Sequence, residues 1–119
     1  MECIVSDIDG TLQDGISPRM GLLAVVSELT RHLHLIVVTF RLEERRQQTE
    51  DWLRRQGLNP RLVLMPRLSG GYPEGFKRWA AHHLTDLGYE PRLWFEDDQR
   101  VVDVLRIEGY PMVNVRFWS

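Results

Sequence analysis

Five short apolar segments rich in β-branched residues, separated by four helical patterns, predict an α/β protein. Its core is one five-stranded, mainly parallel sheet with helices on both faces. Three observations carry this expectation. The run LHLIVVTF at 33 to 40 is apolar almost throughout, as in a strand covered on both sides. Strand and helix patterns alternate from end to end, with no repeat, low-complexity tract or linker between them. Gly57, Gly88 and Gly109 each follow a helical pattern, at the position where a left-handed residue closes a helix.

The elements follow in order. CIVS, residues 3 to 6, is a short buried strand. Ser17 and Pro18 offer an N-cap and a proline at the first helical position, and Leu22, Leu23, Val25, Val26 and Leu29 form an apolar stripe, which predicts a helix over 18 to 32. The strand at 33 to 40 comes next, then a helix over 42 to 56 anchored by Leu42, Trp52 and Leu53. RLVLM at 61 to 65 is the third strand, and the loop PRLSGGY follows it, with Gly70 and Gly71 opposing regular structure. Pro73 opens a third helix whose Phe76, Trp79, Ala80, His83 and Leu84 have the spacing of a buried face. RLWFE at 92 to 96, a helix carrying Val101, Val104 and Leu105, and MVNVRF at 112 to 117 complete the pattern.

At 119 residues, 43% of them hydrophobic, the chain suits a single domain with a real core, spanning 1 to 119. Fifteen basic against seventeen acidic residues exclude gripping nucleic acid by bulk positive charge, though local patches remain open. One cysteine, Cys3, excludes an internal disulfide. No apolar run reaches the roughly 20 residues of a membrane helix and no signal-peptide pattern is seen, so a cytoplasmic protein without a membrane partner is expected. Fourteen of the basic residues are Arg, and Lys77 alone is Lys. In so Arg-biased a chain a retained ammonium points to a specific need, because a compact point charge and a planar fork are not interchangeable.

In doubly wound sheets ligands bind beyond the carboxyl ends of the strands. The polar residues there are Asp7 and Asp9 after the first strand, Thr39 and Arg41 after the second, and Glu96, Asp97 and Asp98 after the fourth, with Lys77 near the start of the third helix. Carboxylates, a hydroxyl and an ammonium on one rim are the parts that hold a divalent cation and a phosphate. Mg²⁺ takes hard oxygen ligands, and a carboxylate attacking a phosphate dianion needs nearby positive charge. Taken alone, Asp7 and Asp9 read either as a catalytic pair or as turn residues ending a strand. Asp98 reads as the N-cap of the fourth helix.

DIDGTL at 7 to 12, the apolar strand ending in Thr39, Lys77 and the acidic EDD at 96 to 98 occur in the order and approximate spacing of the four motifs of haloacid dehalogenase-like phosphatases, and the chain resembles that superfamily over essentially its whole length. VVTFR, TEDWLRRQGL, LVLMPR, PEGFK and EDDQRVVDVLRIEGY further resemble the 3′-phosphatase domain of phage and bacterial polynucleotide kinases. The resemblance implies a three-layer Rossmann-like core and a Mg²⁺-dependent phosphomonoesterase. It implies that Asp7 is the nucleophile that becomes an aspartyl-phosphate and Asp9 the general acid and base. Thr39 and Lys77 then hold the phosphoryl group, Arg41 faces substrate, and Thr11 lies at the substrate turn, where its hydroxyl braces the loop. Asp97 and Glu96, with Asp7 and Asp9, would hold the metal, and the partner would be a nucleic-acid 3′ end, with room for a separate kinase or ligase partner or an oligomer.

Only five residues separate Leu12 from Pro18, and the loop from Pro66 to Tyr72 is also short, so neither place holds the cap domain that many such phosphatases insert. Two rival readings are a phosphatase for a small substrate, such as a nucleotide or sugar phosphate, and a non-catalytic module of the same fold.

Overall fold

The computed structural model describes residues 1–116, which fold as an α/β unit in three layers. The main sheet comprises β1 (Glu2–Ser6), β4 (His34–Val38), β5 (Leu62–Leu64), β6 (Glu90–Glu96) and β7 (Met112–Asn114) in the order β5-β4-β1-β6-β7, and every pairing is parallel. A two-residue hairpin, β2 (Gln13–Asp14) and β3 (Ser17–Pro18), follows β1. The helices are α1 (Met20–Leu29), α2 (Arg46–Arg55), α3 (Pro73–Asp86) and α4 (Gln99–Ile107).

Alternation along each strand sends side chains into two separate cores. Ile4, Leu35, Val37 and Phe95 meet Leu22, Leu23 and Val26 of α1 and Leu53 of α2 on one face. Cys3, Val5, Ile36, Val38 and Trp94 meet Ala80, Ala81 and Leu84 of α3 and Val101, Val102 and Leu105 of α4 on the other. Because both sides of β1 and β4 are covered, their sequences lack polar alternation. From β1 the chain moves outward to β4 and β5, then returns to the opposite side for β6 and β7. The strand order therefore reverses between β1 and β6, and such a reversal opens a crevice at the carboxyl ends of those strands.

Four details differ from expectation. Ser17 and Pro18 do not start a helix. They pair with Asp14 and Gln13 across the turn at Gly15, and the Arg19 N–H donates to the Leu12 carbonyl at 2.8 Å, keeping the chain extended as far as Met20. Helix α1 ends at Leu29 instead of residue 32: the Thr30 N–H still makes the helical bond to the Val26 carbonyl, but the Arg31 N–H turns to the Glu28 carbonyl at 3.3 Å, tightening the last turn. Trp79 is 53% exposed, since α3 turns the stripe Lys77, Ala80, Ala81 and Leu84 to the sheet and leaves Phe76, Trp79 and His83 along its flank. Strand β7 closes at Asn114, and Phe117, expected in it, lies outside the described residues.

No helix among the described residues is long and apolar enough to cross a membrane. The hairpin and a short loop occupy the two stretches between β1 and α1 and between β5 and α3, so the carboxyl edge of the sheet is not covered by an inserted domain there.

Candidate active site

Asp7 follows β1 at its carboxyl edge, where its N–H donates to the Phe95 carbonyl of β6 at 3.1 Å. The turn beyond it is closed by backbone bonds from Thr11 and Gln13 to the Ile8 carbonyl, both 3.0 Å, and from Gly10 to the Gln13 carbonyl at 2.7 Å. Gly10 has φ +81°, and a Cβ there would lie 2.1 Å from Asp97 Oδ2. Only glycine suits this turn, for both conformational and steric reasons. The DG step of the sequence thus lets the β6 loop approach the β1 loop.

Three charged groups are buried here. Lys77 Nζ lies 3.1 Å from Asp7 Oδ1 and 2.5 Å from Glu96 Oε1, with Lys77 3%, Asp7 4% and Glu96 0% exposed. A lone buried charge costs several kcal/mol, so this ammonium persists only because two carboxylates face it. Burial alone would lower the Lys77 pKa, but Asp7 and Glu96 outweigh it and hold the ammonium above its ordinary value. Burial pushes the Asp7 carboxyl up, against the pull of Lys77. It pushes Glu96 up to about 9, with the neighbouring Asp7 charge acting in the same sense.

The two carboxylates are satisfied differently. Glu96 Oε2 accepts the backbone N–H groups of Asp97 and Asp98 at 3.0 and 3.2 Å, so Glu96 braces its own loop as well as Lys77. Asp7 Oδ2 accepts from the Thr11 hydroxyl at 3.4 Å, a hydroxyl that also lies 3.3 Å from Asp97 Oδ1, and the Ile8 backbone and the Glu96 carboxyl bond to Asp7 as well. Asp98 caps α4, its Oδ1 accepting the Arg100 N–H at 2.9 Å. Carboxylate oxygens of Asp7, Glu96 and Asp97 all lie within 4.8 Å of one another, a grouping that can hold a metal ion.

Asp9 stands outside that grouping. Arg41 Nε and Nη2 donate to its two oxygens at 2.9 and 2.8 Å, and this fork holds the Asp9 carboxyl below the usual carboxylate range. Arg41 is itself held by Gln13 Oε1 at 3.2 Å and Thr49 Oγ1 at 3.5 Å. Thr39 is fully buried beneath this pair, and its hydroxyl accepts the Arg41 N–H at 3.3 Å.

Asp7, Asp9, Phe40, Pro73, Lys77, Glu96, Asp97 and Asp98 line an open hollow of about 190 Å³. The structure therefore gathers Asp7, Asp9, Lys77, Glu96 and Asp97 around one space. Thr11, Thr39 and Arg41 are set behind it as braces of those groups. Gln13, Phe40 and Gly10 are participants that the motif pattern did not single out. Gly10 and Phe40 left a trace, as the glycine of DIDGTL and the phenylalanine of VVTFR.

No protein-family model matches the sequence, and no curated protein matches it. Solved structures do match. A chain in a structure described as "Structure of the Pnkp1/Rnl/Hen1 RNA repair complex" is similar to this one, with a TM-score of 0.87 and 20% identity, over 96% of this chain and 42% of that one. A chain in "Structure of Pnkp1/Rnl/Hen1 complex" is similar with the same TM-score of 0.87 and 20% identity, over 96% of this chain and 45% of that one. The chain thus spans less than half the length of the chains it matches, and at this identity the likeness is one of fold.

Proposed function

We propose that this protein is a Mg²⁺-dependent phosphomonoesterase that removes 3′-phosphates from nucleic-acid ends, with RNA repair as its setting. The reading rests above all on Asp7, a buried carboxylate at a strand end with an ammonium at 3.1 Å and a second acid, Asp9, two residues on. Its fold-level likeness to chains of an RNA repair complex agrees with it, and so does an open hollow that a polynucleotide end could enter.

The donor set fits the metal, since Asp7 and Asp97 offer hard oxygens close together and Glu96 backs them. When bound, the cation supplies charge that offsets repulsion between carboxylate and phosphate. The chain's own residues do the rest. Asp7 attacks phosphorus, the bond to the 3′-oxygen breaks, and Asp9 gives that oxygen its proton. Asp9 then takes a proton from water as the water attacks phosphorus, which frees phosphate and restores Asp7. Lys77 holds Asp7 in line and balances the phosphoryl charge. Because Arg41 favours the ionised form of Asp9, the acid step requires the incoming phosphate to draw the guanidinium away.

The test is Mg²⁺-dependent phosphate release from a 3′-phosphorylated oligonucleotide, a 5′-phosphorylated one and free nucleotides, with Asp7→Asn as control. Release confined to the 3′-phosphorylated strand is expected. A preference for free nucleotides overturns the nucleic-acid reading, and an active Asp7→Asn protein overturns the mechanism.

A further inference from the structure

A second hollow, about 590 Å³, is lined by Glu43, Glu44, Arg46, Leu64, Met65, Arg67 and Trp79. We infer that this second hollow is a nucleobase subsite, in which Trp79 and the apolar floor of Leu64 and Met65 receive a base upstream of the 3′ end. The inference rests on the reading of the protein as a nucleic-acid end phosphatase.

Three observations favour this occupant. Trp94 is fully buried and Trp52 half-buried, whereas Trp79 is 53% exposed, on a helix whose neighbouring stripe could have buried it. A chain of aromatic ring contacts links the wall of this hollow to that of the active site. Phe40 lines the Asp7 hollow and packs on Phe76 with ring centroids 6.1 Å apart, and Phe76 stacks on Trp79 at 5.7 Å. His83 stacks on Trp79 at 5.0 Å and 10°, which orders the indole before any ligand arrives. A strand leaving the site along this wall meets an aromatic row of Phe76, Trp79 and His83, whose exposed outer edge is the contact for a base.

The rim is chemically mixed, which suits a base and its phosphate better than a purely apolar peptide. The carboxylates of Glu43 and Glu50 both lie on Arg46, and the exposed Arg67 stands on the same rim. Arg46 also donates to the Val63 carbonyl at 2.9 Å and leads into an adjoining hollow of about 230 Å³ where Arg54 and Arg61 stand. Guanidinium groups thus continue away from Trp79 along the β5 edge; Arg46 and Arg54 are held by Glu43, Glu50 and Asp51, so a passing phosphate would meet Arg67 and Arg61.

The experiment measures binding of a 5′-fluorescein single-stranded RNA octamer with a 3′-hydroxyl, and phosphate release from its 3′-phosphorylated form and from p-nitrophenyl phosphate. Trp79→Ala should weaken octamer binding about tenfold, the cost of losing one base stack. Trp79→Phe should largely restore binding, and p-nitrophenyl phosphate turnover should not change. Octamers made abasic at each of the last four nucleotides in turn should show one position that costs the unaltered protein about the same factor and costs Trp79→Ala nothing. If Trp79→Ala fails to fold, Arg67→Glu provides the same test: weaker octamer binding with unchanged small-ester turnover.

Octamer dephosphorylation with binding indifferent to Trp79 and Arg67 overturns the subsite alone. Turnover of p-nitrophenyl phosphate with no release from the octamer and no octamer binding overturns the parent reading and the subsite with it. Octamer binding lost in Trp79→Ala with no release from any ester keeps the subsite and overturns the phosphatase. Self-association abolished by Trp79→Ala, with octamer binding unchanged, overturns the subsite in favour of a second copy of the chain.

Discussion

The carboxyl ends of β1 and β6 each present a short acidic segment, and the two are built in opposite ways. After β6, Glu96 is committed to Lys77 and two backbone N–H groups and Asp98 to the first turn of α4, while Asp97 shares the Thr11 hydroxyl with Asp7. After β1, Asp7 has one ammonium, a shared hydroxyl and bonds to the Ile8 backbone and Glu96, and Asp9 has a guanidinium tied to its own carboxylate. The β6 end is thus mostly a scaffold, with Asp97 turned towards the β1 loop, and the β1 end keeps a buried carboxylate facing a hollow. Burial of charge here is not a stabilising device, since an apolar pair of similar volume often costs less. What it provides is a carboxylate held in one orientation with its compensating charge already in place.

Removing the cation that joins the two ends should have the largest effect. Lys77→Met leaves two carboxylates buried without their partner and should cost about 3–5 kcal/mol, partly recovered at low pH where they are protonated. Urea unfolding at two pH values measures it. The unaltered protein should show the same sign in metal-free buffer. Glu96 has a folded pKa near 9 against an ordinary 4.5, and Asp7 is also raised, so the folded state binds more protons than the unfolded one. Stability should therefore be greatest near pH 4.5 and fall as pH rises towards 9, and a melting temperature flat across that window would contradict it.

Gly10→Ala comes next. Its Cβ would strike Asp97 Oδ2 in a left-handed turn, so a loss of about 2–3 kcal/mol is expected, with weaker metal binding by calorimetry. Asp98→Ala removes a helix cap on the scaffold side and should cost about 1 kcal/mol with metal affinity unchanged, which separates the two acidic segments cleanly. Arg41→Ala should have the smallest effect on stability, under about 1 kcal/mol, because Asp9 is largely exposed. Its effect on the proposed reaction should appear on the falling, higher-pH side of the profile of the acid step, because Asp9 released from Arg41 titrates higher and keeps its proton further up in pH.

The sheet and its layering were legible in the chain because fully covered strands such as LHLIVVTF lose polar alternation, and this is a local property. Boundaries were less so. Ser17 and Pro18 have the chemistry of a helix start, and only the backbone bond from Arg19 to Leu12, closed across a hairpin, makes them extended. Trp79 lies on an apolar stripe in the sequence, but two interleaved stripes run along α3, and periodicity does not say which one faces the sheet.

The acidic and basic residues at the strand ends could likewise be chosen from residue type and position alone, because a parallel sheet brings its carboxyl ends to one edge wherever they fall in sequence. Their pairing could not. That Lys77 lies between Asp7 and Glu96, that Asp9 turns to Arg41, and that Thr39 and Thr11 brace others all depend on contacts between residues up to 86 positions apart. By itself the sequence determined which elements form and which edge carries the charged groups, since both follow from local pattern. The tertiary structure alone decided which carboxylate is buried, which is neutralised and which remains exposed, because solvation and charge pairing are properties of the assembled edge.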